Sequence, residues 1–193
     1  MNLRRLTIAL PAILAPSLAL AHTGVGDTSG FVHGLLHPLT GLDHVLAMLA
    51  AGLFAASLGG RALWMVPLSF LSVMALGGAA GAGGFAVPLV ETGIALSVLV
   101  LGACLAFKIK PALSLAAGLV GVFAVFHGIA HGAEMPPHVP GAEYALGFLA
   151  ATGLLHLAGI AMALAGARLS QRVIQLCGAA IALAGAALLS GAF

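Results

Sequence analysis

Apolar positions along the chain fall into long runs, at roughly 33 to 58, 62 to 80, 85 to 107, 111 to 131, 143 to 167 and 171 to 192, each bounded by Gly, Pro or a charged residue. A helix needs about 20 such residues to cross a bilayer, so each run predicts one transmembrane helix, six in all. Ahead of them, residues 1 to 21 carry Arg4 and Arg5, an apolar stretch from Leu6 to Leu20, and the small-x-small close Ala19-Leu20-Ala21. That order is the pattern of a cleavable signal peptide. Pro11 and Pro16 interrupt the stretch and polar sequence follows it, which weighs against an uncleaved first helix. The expected architecture is an all-α membrane protein, with a signal peptide over 1–21 and a single six-helix transmembrane domain over 22–193.

Composition narrows the function classes. The chain is 62% hydrophobic and 6% charged, with mean hydropathy +1.18, whereas a soluble domain carries roughly a quarter charged residues. With a formal net charge of +2 and no clustered basic face, nucleic acid is not an expected partner. The phosphate-cradling pattern G-x-x-x-x-G-K-S/T is missing, so neither is a nucleotide. Lipid is. Arg61 lies in the first connection, Lys108 and Lys110 in the third, and Arg168 and Arg172 in the fifth, while the second and fourth connections hold no Lys or Arg. By the positive-inside rule those three loops face the cytoplasm and both mature termini face outward. Trp64, beside Arg61, suits an interfacial anchor on the cytoplasmic side. Cys104 and Cys177 fall toward the cytoplasmic helix ends, where a disulfide is not expected. Small residues at Ala117 and Gly121, Gly159 and Ala163, and Gly178, Ala182 and Ala186 repeat at the spacing that lets helices approach closely.

Charged groups inside a span cost at least about 2.5 kcal/mol each at the bilayer centre, so they mark a pathway or a site. Five of the eight histidines and two of the five carboxylates sit in two stretches, which makes scattered packing roles an unsatisfactory explanation. The first run contains His33, His37, Asp43 and His44, and the fourth ends with His127, His131 and Glu134. On a continuous helix His33, His37 and His44 fall at roughly 0°, 40° and 20°, a narrow stripe, and His127, His131 and Glu134 repeat it. Pro38 argues for a different start, with the span proper beginning near it and residues 33 to 37 as a bent lead-in. Imidazole suits nickel, copper, zinc and cobalt, and a carboxylate adds an oxygen ligand and partial charge compensation, so two facing stripes predict a divalent transition-metal site. At 1.5 Å per residue, Asp43 and His44 lie about 9 to 17 Å from the outer end, His127 about 6 Å, Glu91 about 9 Å and His156 about 18 Å. The cluster thus occupies the outer half of the bilayer, as uptake from outside requires. Glu91 is a candidate pathway group, His138 and His22 candidate outer capture residues, and Met48 a core residue.

At these residues the sequence resembles the HupE/UreJ family of bacterial nickel permeases. The family's first-helix motif HPxxGxDH stands here as His37-Pro38-Leu39-Thr40-Gly41-Leu42-Asp43-His44, and its FHGxxHGxE motif as Phe126-His127-Gly128-Ile129-Ala130-His131-Gly132-Ala133-Glu134. The resemblance also covers the exported signal, the six-helix layout and the chain length. It implies a secondary permease of the bacterial inner membrane that brings in nickel, sometimes cobalt, for hydrogenase or urease assembly. The metal would be cargo, with no resident cofactor and no enzymatic activity; the oligomeric state stays open.

Two other readings use the same residues. His33/His37 and His127/His131 share the i, i+4 spacing of HExxH zinc hydrolases, but both repeats read H-G-x-x-H. Glu91, Glu134 or Asp43 would then have to replace the missing general base. A haem carrier would use His44 and His156 as axial ligands.

Overall fold

The computed structural model describes residues 30–191. The expected signal peptide over 1–21 and His22 lie outside the described residues. Within them the chain is helical throughout: α1 (Gly30–Leu36), a 3-10 turn (His37–Leu39), α2 (Leu42–Leu58), α3 (Ala62–Ala82), α4 (Val90–Ala106), α5 (Leu113–Ala133), α6 (Gly141–Leu169) and α7 (Gln171–Leu189).

Four of these, α3, α5, α6 and α7, are each long and apolar enough to cross a membrane. The chain is therefore a multi-pass membrane protein. The first apolar run is not one continuous helix. Pro38 stands at the start of the 3-10 turn and lacks the N–H a continuing α-helix needs. The Thr40 hydroxyl and backbone N–H both donate to the His37 carbonyl, at 2.7 and 3.1 Å, closing the turn. The segment Gly30–Leu39 meets Leu42–Leu58 at 83°, and the two pass as one span only when taken together. The bent lead-in, and not the continuous stripe, is the arrangement found.

The third run also starts late. Gly84 at φ 87° and Leu89 at φ 60° carry the chain through a turn that includes Pro88, and helix begins only at Val90. With 17 residues, α4 is about 25 Å long at the usual rise. Glu91 consequently sits in the first turn of α4, not a third of the way down it.

Side chains are distributed the opposite way from a soluble protein. Leu76, Leu115, Leu176 and Leu183 are exposed on the outside, whereas His44, His127, His131 and His156 are buried. Hydrocarbon around the bundle accounts for the first observation, and some internal purpose must account for the second. The central element is α2: Ala47, Met48, Ala50, Ala51, Phe54 and Ala55 are fully enclosed, and α3 to α7 all pack against it. Met48 is accordingly a core residue.

Close helix approach is set by glycine. In α5, Gly128 and Gly132 follow the two histidines of the motif by one residue, so they point about 100° away from them around the helix. A Cβ on Gly128 would collide with the Met74 carbonyl, and one on Gly132 with the Gly78 carbonyl, both on α3. The motif therefore does two jobs: the glycines press α5 onto α3, and that contact fixes the direction in which the histidines face. Two of the small-residue repeats serve in the same way, Gly159 against Leu49 and Gly52 of α2, and Gly178 against Gly102 and Leu105 of α4.

Gly128→Leu should therefore destabilise the fold by about 1 to 3 kcal/mol, because the obstacle is backbone that cannot give way. Gly118, with nothing within 4 Å of a would-be Cβ, should accept alanine at no cost. Thermal unfolding of the two variants in detergent checks this; equal midpoints would contradict the packing argument.

Candidate metal centre

The break at Pro38 leaves a short extended link before α2, with Gly41 at φ −103° and ψ 120°. A Cβ at Gly41 would lie 2.7 Å from Asp43 Oδ1 and 2.8 Å from His44 Nδ1. Glycine here makes room for the Asp43 carboxylate to fold back over the first turn of α2. There Oδ1 accepts the backbone N–H of His44 at 2.8 Å and its ring Nδ1–H at 2.8 Å. The amino end of a helix favours the anionic form of a carboxylate, and a carboxylate can only accept, so the ring proton resides on Nδ1. Nε2 of His44 then carries the free lone pair, and it is buried with no hydrogen-bond partner.

Ser97 performs the corresponding task for His127. Its hydroxyl has one hydrogen, which it donates to the Ile94 carbonyl at 2.6 Å. Toward His127 it therefore accepts, taking Nε2–H at 3.1 Å. Nδ1 of His127 is left as a buried lone pair without a partner. His131, one turn further along α5, has neither ring nitrogen hydrogen-bonded. The rings of His44 and His127 are 5.1 Å apart, those of His44 and His131 4.1 Å, and those of His37 and His131 4.8 Å.

Two overlapping donor groups result, His44 with His127 and His131, and His37 with His131 and Glu134. In each group the ligand atoms lie within 4.8 Å of one another. Side-chain rotation of modest size closes such a set around an ion at about 2.0 to 2.2 Å. The first group is enclosed by helices. The second opens outward: the Glu134 side chain is 53% exposed and that of His37 27%. His37 Nε2 pairs with Glu134 Oε2 at 3.0 Å, and His131 Nδ1 stands 3.6 Å from the same oxygen. Glu134 lies one residue beyond α5, and the imidazoles of His131 and His37 hold its carboxyl down to about 2.

Aromatic side chains wall the cluster. Tyr144 and Phe148 of α6 stack with a 7° interplanar angle beside His37 and His131. Phe70 of α3 closes the inner side, 5.4 Å from the His127 ring. His131, Tyr144 and Phe148 also line a cavity of about 280 Å³ between α3, α5 and α6.

Of the residues singled out from sequence, His37, Asp43, His44, His127, His131 and Glu134 come together. Asp43 alone among them belongs to neither donor group, and its Oδ1 is engaged with His44. His33 does not join them: it is exposed on α1, on the far side of the bend, and belongs to neither group. Glu91 is exposed and lines a separate groove of about 280 Å³ that it shares with Glu134. His138 is exposed in the loop after α5, and His156 is buried on α6. Cys104 and Cys177 are both free. The sequence reading missed Ser97, Phe70, Tyr144 and Phe148. A hydroxyl isolated among the apolar residues of α4 was a usable signal for Ser97; nothing distinguishes Phe70 or Phe148 from ordinary core.

Comparison with known proteins agrees with the motifs. The family model described as HupE / UreJ protein matches residues 10–188. Protein HupE of Rhizobium leguminosarum bv. viciae is 48% identical over 163 residues, which is 84% of this chain and 85% of that protein. No solved structure matches. A family match over almost the whole length, joined to a relative this similar, establishes that the chain belongs to the HupE/UreJ family.

Proposed function

We propose that this protein is a secondary permease that imports a divalent transition metal, nickel before cobalt, and that the histidine–carboxylate cluster is its binding site. The observation that carries the reading is the pair of donor groups sharing His131, one open at the end of the bundle and the other enclosed. Glu134 and His37 offer an exposed, anionic first contact for a hydrated cation. His131 can hold the ion while its remaining water is exchanged for His44 and His127. Asp43 and Ser97 act through those two imidazoles by fixing which nitrogen carries the proton, so each presents a lone pair without rearrangement.

Direction follows from charge. The loops at this end, 83–89 and 134–140, hold no Lys or Arg, while Arg61, Lys108, Lys110, Arg168 and Arg172 lie in the loops or end turns at the other. The positive-inside rule supports an outward-facing mouth, with both mature termini periplasmic and the chain in the bacterial inner membrane. Cleavage of residues 1–21 and a single six-span domain over 22–193 complete this reading. In it, α1 and α2 together make one broken span, and broken helices are a common device for placing ligands at depth. Metal delivery to hydrogenase or urease assembly is the role that the family resemblance supports. A zinc hydrolase is disfavoured by the placement of its own ligands: of the two H-G-x-x-H repeats, one puts His33 outside the cluster.

Three outcomes test the proposal. In proteoliposomes containing the full chain, His131→Ala should abolish Ni²⁺ uptake because both donor groups lose a member, while the protein remains inserted; retained uptake would refute the assignment. Ser97→Ala should keep the fold but weaken Ni²⁺ binding about 10- to 100-fold, the usual cost of losing a group that orients a ligand, as calorimetry would reveal. Uptake should also fall once external pH is low enough to protonate the cluster, because only neutral imidazole ligates. Glu134, held down to about 2, stays ionised above that value, so a loss there reports the histidines. Uptake that does not fall at any acid pH at which the protein stays folded would contradict histidine ligation.

A further inference from the structure

His156 is 1% exposed, and both of its ring nitrogens are buried without a hydrogen-bond partner. Nothing in the cluster above uses it. An imidazole always presents either a donor or a lone pair at each nitrogen, so two unmet nitrogens in an apolar interior call for an explanation that packing alone does not supply.

Its position offers one. The His156 backbone lies level with Gly52, whose Cβ would strike the His156 carbonyl. That is eight residues along α2 from His44, about 12 Å further in. Between the two levels stands the fully buried side chain of Phe70, whose ring is 5.4 Å from that of His127 on one side and 5.0 Å from that of His156 on the other. Beside His156 an open, largely apolar groove of about 370 Å³ between α3 and α6 is lined by Leu63, Trp64, Pro67 and His156, with Leu68 and Leu157 exposed along it. It leads toward the end of α3 where Arg61 lies over Trp64. Pro67 is inside α3 and has no N–H, so the Leu63 carbonyl one turn earlier loses its helical donor and remains available as an acceptor.

We propose that His156 is the second station on the inward path, receiving the divalent ion from His44, His127 and His131 when the Phe70 ring turns aside, with the Leu63 carbonyl as an oxygen ligand beyond it. The step is a ligand exchange: a bond from the metal to an imidazole nitrogen of the outer group breaks as one to His156 forms. No electron is transferred, and every imidazole stays neutral. A lone histidine with a carbonyl binds weakly, as release toward the inner side requires. The inference rests on the transport reading given above.

Two substitutions separate a ligand from a packing residue because they order oppositely. His156→Phe keeps an aromatic ring against Phe70 but cannot coordinate; His156→Cys coordinates but packs poorly. Full-length protein in proteoliposomes should show Ni²⁺ uptake at least about tenfold lower for His156→Phe, with the affinity for Ni²⁺ measured by calorimetry close to that of the wild type. His156→Cys should transport faster than His156→Phe. The proposal is overturned by uptake in which Phe equals or exceeds Cys, by loss of binding together with transport in the Phe variant, or by failure of both variants to reach the membrane. Absence of uptake by the wild type would overturn it and the transport reading together, whereas normal uptake by His156→Phe would overturn this inference alone.

Discussion

A ring nitrogen buried without a partner is expensive, on the order of 1 to 3 kcal/mol, and this fold keeps six of them on His44, His127, His131 and His156. So many cannot be accidents of packing, because each could be replaced by carbon with a gain in stability. On two of these rings a neighbouring group has already decided which atom carries the proton. Asp43 does this for His44 and Ser97 for His127. In the proposed reading the unmet lone pairs are a store of binding energy for a cation of suitable softness, and the surrounding helices hold them in place.

Holding them is the task of the glycine seams. Because α5 meets α3 through Gly128 and Gly132, and α2 meets α6 through Gly52 and Gly159, the helices bearing the histidines are fixed by backbone-to-backbone contact. In a bilayer no hydrophobic drive assembles helices, and close packing has to supply the attraction. The same contact that stabilises the bundle therefore sets the azimuth of each imidazole. The broken span contributes the other half. By interrupting the helix at Pro38, the chain brings His37 to the mouth beside Glu134 while His44 starts a new helix below it.

Much of this could be read in the sequence. The long apolar runs point to the helices, and the two dense His/carboxylate motifs to the residues that the fold brings together. The remainder escaped for definite reasons. A periodicity argument assumes a continuous helix, so it counted His33 into a stripe that the 83° bend removes. Hydropathy does not register that Gly84, Pro88 and Leu89 form a turn, and Glu91 was consequently set too deep. Residue type does not reveal which partner a carboxylate meets: Asp43 reads as a ligand in the sequence, and in the fold its Oδ1 accepts from the backbone and ring of His44. Ser97 and Phe70 act on the cluster from α4 and α3, far from either motif along the chain, and their roles exist only once the helices are packed.

Charge is graded along the cluster, and the gradient matters more than affinity at any one level. The carboxylate of Glu134 stands at the exposed mouth, where the proposed function has it attract a cation and help replace lost water. Inside, the donors are imidazoles, with the Asp43 carboxylate one hydrogen bond removed from the ligand atom. A carboxylate in direct contact at that depth would bind a divalent ion more strongly and release it more slowly, which conduction cannot accept. Relaying the charge through the His44 ring raises that imidazole's basicity while keeping the ion away from a full anionic bond. In the proposed transport reading, capture is electrostatic at the surface and coordinative within, and the shared residue His131 is the point at which one gives way to the other.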